Sequence, residues 1–288
     1  MSLRSRHPGN PGVVGLFGLG ALLVLSLAAA PARAQVATIA PKLSPVEKML
    51  FLRAGTFEVW QDTTRLGTEF YCSYMTAKQD SVVTSTSVVY DLHSGKRLMH
   101  YEKKALRITN AMDNHLLLYQ SADEVGAQDR ALAVTTFDTT ATIYHEDGGQ
   151  GDGNVIAVPP GRVYILDPSV YEQVEALTRD FAQSQVPSRT MHALIPPRDT
   201  VITIQMNRGP KEKVKGPDGK SLSAQRVDMF DDLTRIQAWL DDSGNLVRLE
   251  APAQKVRVVR LPAGDAEARA LSQASGPVTP AGSSSARR

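Results

Sequence analysis

From Thr56 onward, apolar and polar residues alternate with a period of two through most of the chain, as strands that bury one face do. Leu66, Phe70, Cys72 and Tyr74 fall on one face of such a strand, with Gly67, Glu69 and Ser73 on the other. The first set is expected to face the core. Further strands are predicted at 82–92, 97–108, 115–119, 132–137 and 141–145, and a second group at 201–206, 222–230, 233–240, 246–250 and 256–261. The separators His93-Ser94-Gly95-Lys96, Asp113-Asn114 and Asp241-Asp242-Ser243-Gly244 contain the residues that tolerate tight connections. Strands joined locally make meanders. No strand alternates with a long helix, which argues against a parallel nucleotide-binding sheet.

Two stretches break the alternation. In Ser44-Pro45-Val46-Glu47 a serine caps, proline takes the first helical position and glutamate reaches back. A short helix is predicted there, ending near Arg53, with Val46, Met49 and Leu50 buried. Between the strand groups, Asp167-Pro168 opens a longer helix that ends near Ser184, before Pro187. Val170, Val174, Leu177 and Phe181 form one stripe of it, and Glu172, Gln173, Glu175 and Arg179 lie opposite, toward solvent. Burying the four apolar side chains is worth about 6 to 12 kcal/mol before entropy, enough to dock the helix on the sheet. The expected fold is mainly β (α+β): a long curved antiparallel sheet or unclosed half-barrel, one amphipathic helix across it, and a short N-terminal helix.

The N terminus has another pattern. Arg4, Arg6 and His7 precede an 18-residue apolar run, Val13 to Ala30, followed by Ala32-Arg33-Ala34. A basic start, an apolar middle and small residues before a cut define a secretory signal peptide over residues 1–34. Retention as an anchor is the alternative, but Gly15, Gly18, Gly20 and the cleavage signature favour removal. Residues 35–43 are read as a flexible lead-in, 44–261 as one β-rich domain, and 262–288, rich in Ala, Gly, Ser and Pro, as a disordered tail. The expected location is periplasmic or secreted, with no stable transmembrane segment after cleavage.

Cleavage removes three arginines and no acid, leaving 29 basic against 30 acidic residues, a net charge of −1 in place of +2. Such a chain has no global field for nucleic acid. Its single cysteine, Cys72, has no partner for an intramolecular disulfide, so the core must hold the fold. Cys72 with His100 or His115 as base is a conceivable nucleophile, but its place on the apolar face reads as buried and inert. There is no Gly-x-Ser-x-Gly. The glycine-rich run from His145 to Asn154 has carboxylates for a hard cation, yet its spacing matches neither an EF-hand nor the Gly-Gly-x-Gly-x-Asp calcium repeat, and a solvated hairpin loop is the better reading. The histidines are scattered, without helical pairing for zinc. Lys211 to Lys220 reads as a solvated loop, Val158-Pro159-Pro160-Gly161-Arg162 as a rigid connector, and Trp60 and Trp239 as sheet cover. No cofactor, metal site or catalytic residue is expected.

The run Gly55-Thr56-Phe57-Glu58-Val59-Trp60, then Leu66-Gly67-Thr68-Glu69, and Trp239 to Glu250 near the end resemble secreted bacterial proteins of uncharacterised function, similar in shape to periplasmic lipoprotein carriers. In those carriers an unclosed β-barrel holds acyl chains. The resemblance spans roughly Gly55 to Leu261, carries no catalytic residue over, and implies a lipid or other hydrophobic ligand. Phe70, Tyr74, Val174, Leu177 and Phe181 are then the candidate ligand-binding residues. Two alternatives stand beside this reading. One is a structural or protein-interaction module of the envelope, with a packed core and an apolar surface patch; the other, more remote, is a hydrolase with an unrecognised site.

Overall fold

The computed structural model describes residues 49–94, 97–125, 128–231 and 234–264. The expected signal peptide and lead-in, the Ser44-to-Glu47 helix start and nearly all of the expected C-terminal tail lie outside the described residues.

Fifteen strands form a single unclosed sheet. The first eight are β1 (Leu50–Gln61), β2 (Thr64–Met75), β3 (Ser81–Ser94), β4 (Arg97–Asn110), β5 (Leu116–Val125), β6 (Gln128–Phe137), β7 (Thr140–Asp147) and β8 (Gln150–Ala157). After β9 (Val163–Ile165) and the helix α1 (Tyr171–Gln183) come β10 (Ser188–Ile195), β11 (Thr200–Lys215), β12 (Ser221–Phe230), β13 (Arg235–Leu240), β14 (Leu246–Ala251) and β15 (Val256–Arg260). The two meanders meet where β1 pairs with β15, so the first and last strands sit side by side in the middle of the sheet and β8 and β9 are its edges. Every neighbouring pair is antiparallel except β9 with β10. This is the curved, mainly β architecture that the alternation predicts.

Rolling, not closure, makes the core. The helix stripe of Val170, Val174, Leu177 and Phe181 packs with Phe57, Val59, Tyr71, Met206, Val227, Leu249 and Val258 from both meanders. In β9, Tyr164 belongs to that cluster, whereas Val163 and Ile165 pack with Leu116 and Tyr119 of β5, Val134 of β6 and Ile143 of β7. The edge strand β9 therefore lies between the helix and the inner face of β5–β7. The sheet overlaps itself like a spiral, with α1 at its centre.

Three expectations change. Leu50 to Arg53 are the start of β1, not the end of a helix, because they pair with Met75 to Ser73 of β2; a cross-strand ladder outweighs the local helix start. The glycine-rich run becomes β7 and β8 joined by a two-residue turn, with Gly148 and Gly149 at φ 59° and 81°. β11 runs through Lys215, leaving only Gly216 to Lys220 as the solvated turn.

A fourth change is in β2. Val59 pairs with Gly67 but Trp60 pairs with Arg65, so Leu66 is an extra residue, a β-bulge. Leu66 is buried on the inner face, and beyond the bulge the phase inverts. Glu69, Tyr71 and Ser73 turn inward and are fully buried, while Phe70, Cys72 and Tyr74 turn outward and are half-buried. The uninterrupted period of two, which placed Leu66 with Phe70 and Tyr74, fails at that one residue. Gly67 makes the bulge feasible: a Cβ there would lie 2.0 Å from the Val89 carbonyl oxygen. Gly67→Ala is expected to destabilise the protein by on the order of 3 kcal/mol, read from the urea midpoint, whereas Gly153→Ala, with only ordinary contacts near its Cβ, should leave it nearly unchanged.

Candidate functional site

The helix is enclosed on all sides. Its apolar stripe is buried as predicted, but Glu172, Gln173, Glu175 and Arg179, read from sequence as the solvent side, are buried as well. A polar helix face is tolerated inside a protein only when its groups are bonded, and here the surrounding sheet supplies the partners. Glu175 accepts from the Tyr71 hydroxyl at 2.6 Å, from Arg260 at 2.8 Å and from the Leu246 amide at 3.2 Å. It also pairs with Arg179, one turn on along the helix. Glu172 meets Arg107 of β4 at 2.5 Å, with Arg53 of β1 at 3.8 Å.

Both ends of α1 are anchored too. No side chain of its own segment caps the N-terminus; instead Glu69 from β2 accepts the Tyr171 and Glu172 amides at 2.6 and 2.7 Å, placing an acid where the helix dipole favours one. Just ahead of the helix, Asp167 binds Lys103 Nζ at 2.7 Å and the Tyr119 hydroxyl at 2.7 Å. At the other end Arg208 donates to the Ala182 carbonyl at 2.9 Å, and Asp180 is held by Arg162 and by Tyr164.

Electrostatics follow from this enclosure. Burial pushes the Glu69 carboxyl up to about 8, with Glu172 and Glu175 adding to the rise, against the two amide donors that favour the anion. Burial also raises Glu175, while Arg260 and Arg53 pull it back. Tyr71 is raised by burial and by Glu175. The arrangement is suited to clamping a helix. Against it lies an apolar cavity between Val174 and Leu166 on one side and Ile204, Met229 and Ile236 on the other, of about 10 Å³, no more than one water molecule needs. Among the described residues no group of three or more His, Cys, Asp or Glu side chains converges as a metal site.

The five candidate ligand-binding residues are divided by the sheet. Val174, Leu177 and Phe181 sit together in the central core. Phe70 and Tyr74 stand on the outer face, away from them. There Phe51, Tyr74, Val83, Ile108 and Leu118 are direct cross-strand neighbours along one row over β1 to β5. Phe51 and Tyr74 meet edge to face at 5.8 Å, Val83 is covered by its neighbours, and the others are half-buried. Leu50 and Leu52, beside Phe51, are exposed. Cys72, in the next row, is half-buried, not buried as expected, and burial raises its thiol.

The outer face of the other meander is different in kind. Arg257 lies over Trp60 at 5.2 Å and Arg248 over Trp239 at 5.5 Å. Trp239 donates to Glu212 at 2.8 Å, Trp60 to Glu58 at 2.9 Å, and Arg226 pairs with both Glu212 and Asp228. That wall pairs its own charges and rings, whereas the row on β1–β5 is built of aromatic and aliphatic side chains, bordered by polar Thr135, Ser85 and Gln120.

Sequence reasoning missed Glu69, Tyr71, Arg107 and Arg260 as partners of the helix. The one local signal was the spacing of Glu172, Glu175 and Arg179, as regular as the apolar stripe; their countercharges come from strands far away in the chain.

No known protein family and no curated protein matches the sequence. Among solved structures, the chain is similar to a β-barrel-like protein of domain of unknown function DUF1849 from Brucella abortus, with a TM-score of 0.51 and 10% identity over 74% of this chain and 95% of that one. At that identity the likeness is one of fold.

Two outcomes test the clamp. Glu175→Ala, which takes the carboxylate from Arg179 and Arg260 and leaves a void, is expected to cost about 3 to 5 kcal/mol in urea unfolding, well beyond an exposed control such as Asp242→Ala. Glu69 titrates high, so its protonated form is favoured by folding; its contribution is complete below pH 4.5 and is lost as pH rises through about 8. The melting temperature of the wild type relative to Glu69→Gln is therefore expected to fall steadily between those pH values.

Proposed function

We propose that this is an exported, non-catalytic protein of the bacterial cell envelope that works as an interaction module, docking a partner on the outer face of β1–β5. Export rests on the leader pattern of Arg4, Arg6, the apolar run and Ala32-Arg33-Ala34. The observation that carries the reading is the placement of α1. The concave side, where a carrier of this shape would hold an acyl chain, is filled by a helix with its own ionic partners. On the exterior, the half-buried row of Phe51, Tyr74, Ile108 and Leu118, flanked by exposed Leu50 and Leu52, is an apolar surface that a partner could cover.

A second reading, a hydrophobic ligand entering between α1 and β11–β13, requires the water-sized space under Val174 to open. Native mass spectrometry and organic extraction of protein purified from the periplasm without harsh detergent separate the two. The interaction reading expects a ligand-free mass and no binding to a panel of fatty acids and phospholipids. A stoichiometric co-purifying lipid, lost in Met229→Phe, whose ring takes up the space while the protein stays folded, would establish the ligand reading instead. Leu177 cannot serve for such a test, since it is fully buried in the core and a charge there unfolds the protein.

A further inference from the structure

The two edges of the sheet are protected very differently. An open edge presents unpaired amides and carbonyls and invites another strand, so exposed edges are commonly shortened, covered, bulged or charged. β9 is three residues long and all three are buried. β8 is eight residues long, exposed throughout except for half-buried Ile156, and pairs with β7 without a register shift. It has no lysine and no proline, and Asp152 is its one charge. Among the described residues nothing pairs with its outer side.

The ladder fixes which groups face outward. Val158 donates to the Thr139 carbonyl at 2.8 Å, and antiparallel pairs alternate between bonded and non-bonded. Gln150, Asp152, Asn154 and Ile156 therefore bond to β7, and the amides and carbonyls of Gly151, Gly153, Val155 and Ala157 point away from it. The same four residues carry their side chains on the outer face of the sheet, where two are glycine. Tyr144 lies over this trough, its hydroxyl 1.8 Å from where a Gly151 Cβ would be. Tyr144 and Val155 are 44% and 65% exposed.

We propose that β8 pairs antiparallel with β8 of a second copy, the two-fold axis passing through Gly153. In that register the strand is complementary to itself, as a two-fold contact requires. Each Val155 stands opposite the other copy's Gly151, filling the trough beside Tyr144, and each Asp152 stands opposite Asn154, an amide donor. Sliding one copy by two residues toward the turn sets Asp152 against Asp152, which repels; sliding it the other way sets Asp152 against Ile156. Outward-facing Gly153 meets Gly153 at the axis, where bonded pairs bring Cα atoms to about 5.5 Å, within disulfide reach.

Sedimentation of the purified chain over a range of concentrations, with site-specific cross-linking, tests this. The expected result is a monomer–dimer equilibrium weakened at least tenfold by Val155→Lys, a change at an exposed site that circular dichroism should show to be folded. In a Cys72→Ser background, Gly153→Cys is expected to give a covalent dimer on mild oxidation and Asp152→Cys is not. A chain that remains monomeric at every concentration overturns the proposal. So does a dimer indifferent to Val155→Lys, or cross-linking through Asp152→Cys in place of Gly153→Cys. Capture of an unrelated extended peptide along β8 by a monomeric chain also overturns it, and assigns the edge to a different partner. None of these outcomes depends on whether the outer row of β1–β5 docks a protein.

Discussion

The carboxylate of Glu175 is the point on which the interior depends. It sits on a central helix, takes a hydroxyl from β2, a guanidinium from β15 and an amide from the start of β14, and so ties both meanders to one residue. A buried charge without partners is untenable. The sheet must therefore roll until Tyr71 and Arg260 reach it, and it is at β1 and β15, the strands carrying Arg53 and Arg260, that the two meanders join. The remaining helix ties follow the same rule: each acid of α1 and its flanks is met by a cation or hydroxyl from the surrounding strands.

This core changes what the spiral can do. A half-barrel with an apolar hollow is a container, whereas one whose hollow is filled by a clamped helix is a solid body with two walls of unequal character. The wall of β12–β15 and the adjoining end of β1 interlocks arginines with tryptophans and acids and leaves little for another molecule to satisfy. The wall of β1–β5 aligns aromatic and aliphatic side chains in register.

The bulge at Leu66 shows how small a feature can redistribute a site. Because side chains alternate strictly along a strand, one inserted residue exchanges its faces from that point on. Without it, Phe70 and Tyr74 would point at α1, and Glu69 and Tyr71 at solvent. With it, the polar pair reaches the helix, capping its N-terminus and bonding Glu175, and the aromatic pair lines the exterior.

The mainly β class, most of the strands and the position of α1 were legible in the sequence because they depend on local periodicity and turn chemistry: Asp113-Asn114 and Asp241 to Gly244 are turns, and Val170 to Phe181 is a helix stripe, whereas β8, β9 and β10 were not read. What only the tertiary structure decided is everything that depends on a distant partner. Leu50 to Arg53 are a strand because β2 lies beside them, and the glycine-rich stretch after Gly149 is a strand because β7 holds it. Glu172 and Glu175 are buried because Arg107 and Arg260 come from strands 65 and 85 residues away. A charge on a helix reads as exposed by default, since exposure needs no partner and burial does. Long-range pairing leaves no periodic trace in the chain, and so the enclosure of the helix, and with it the division of the candidate residues between core and outer face, could be seen only in the folded molecule.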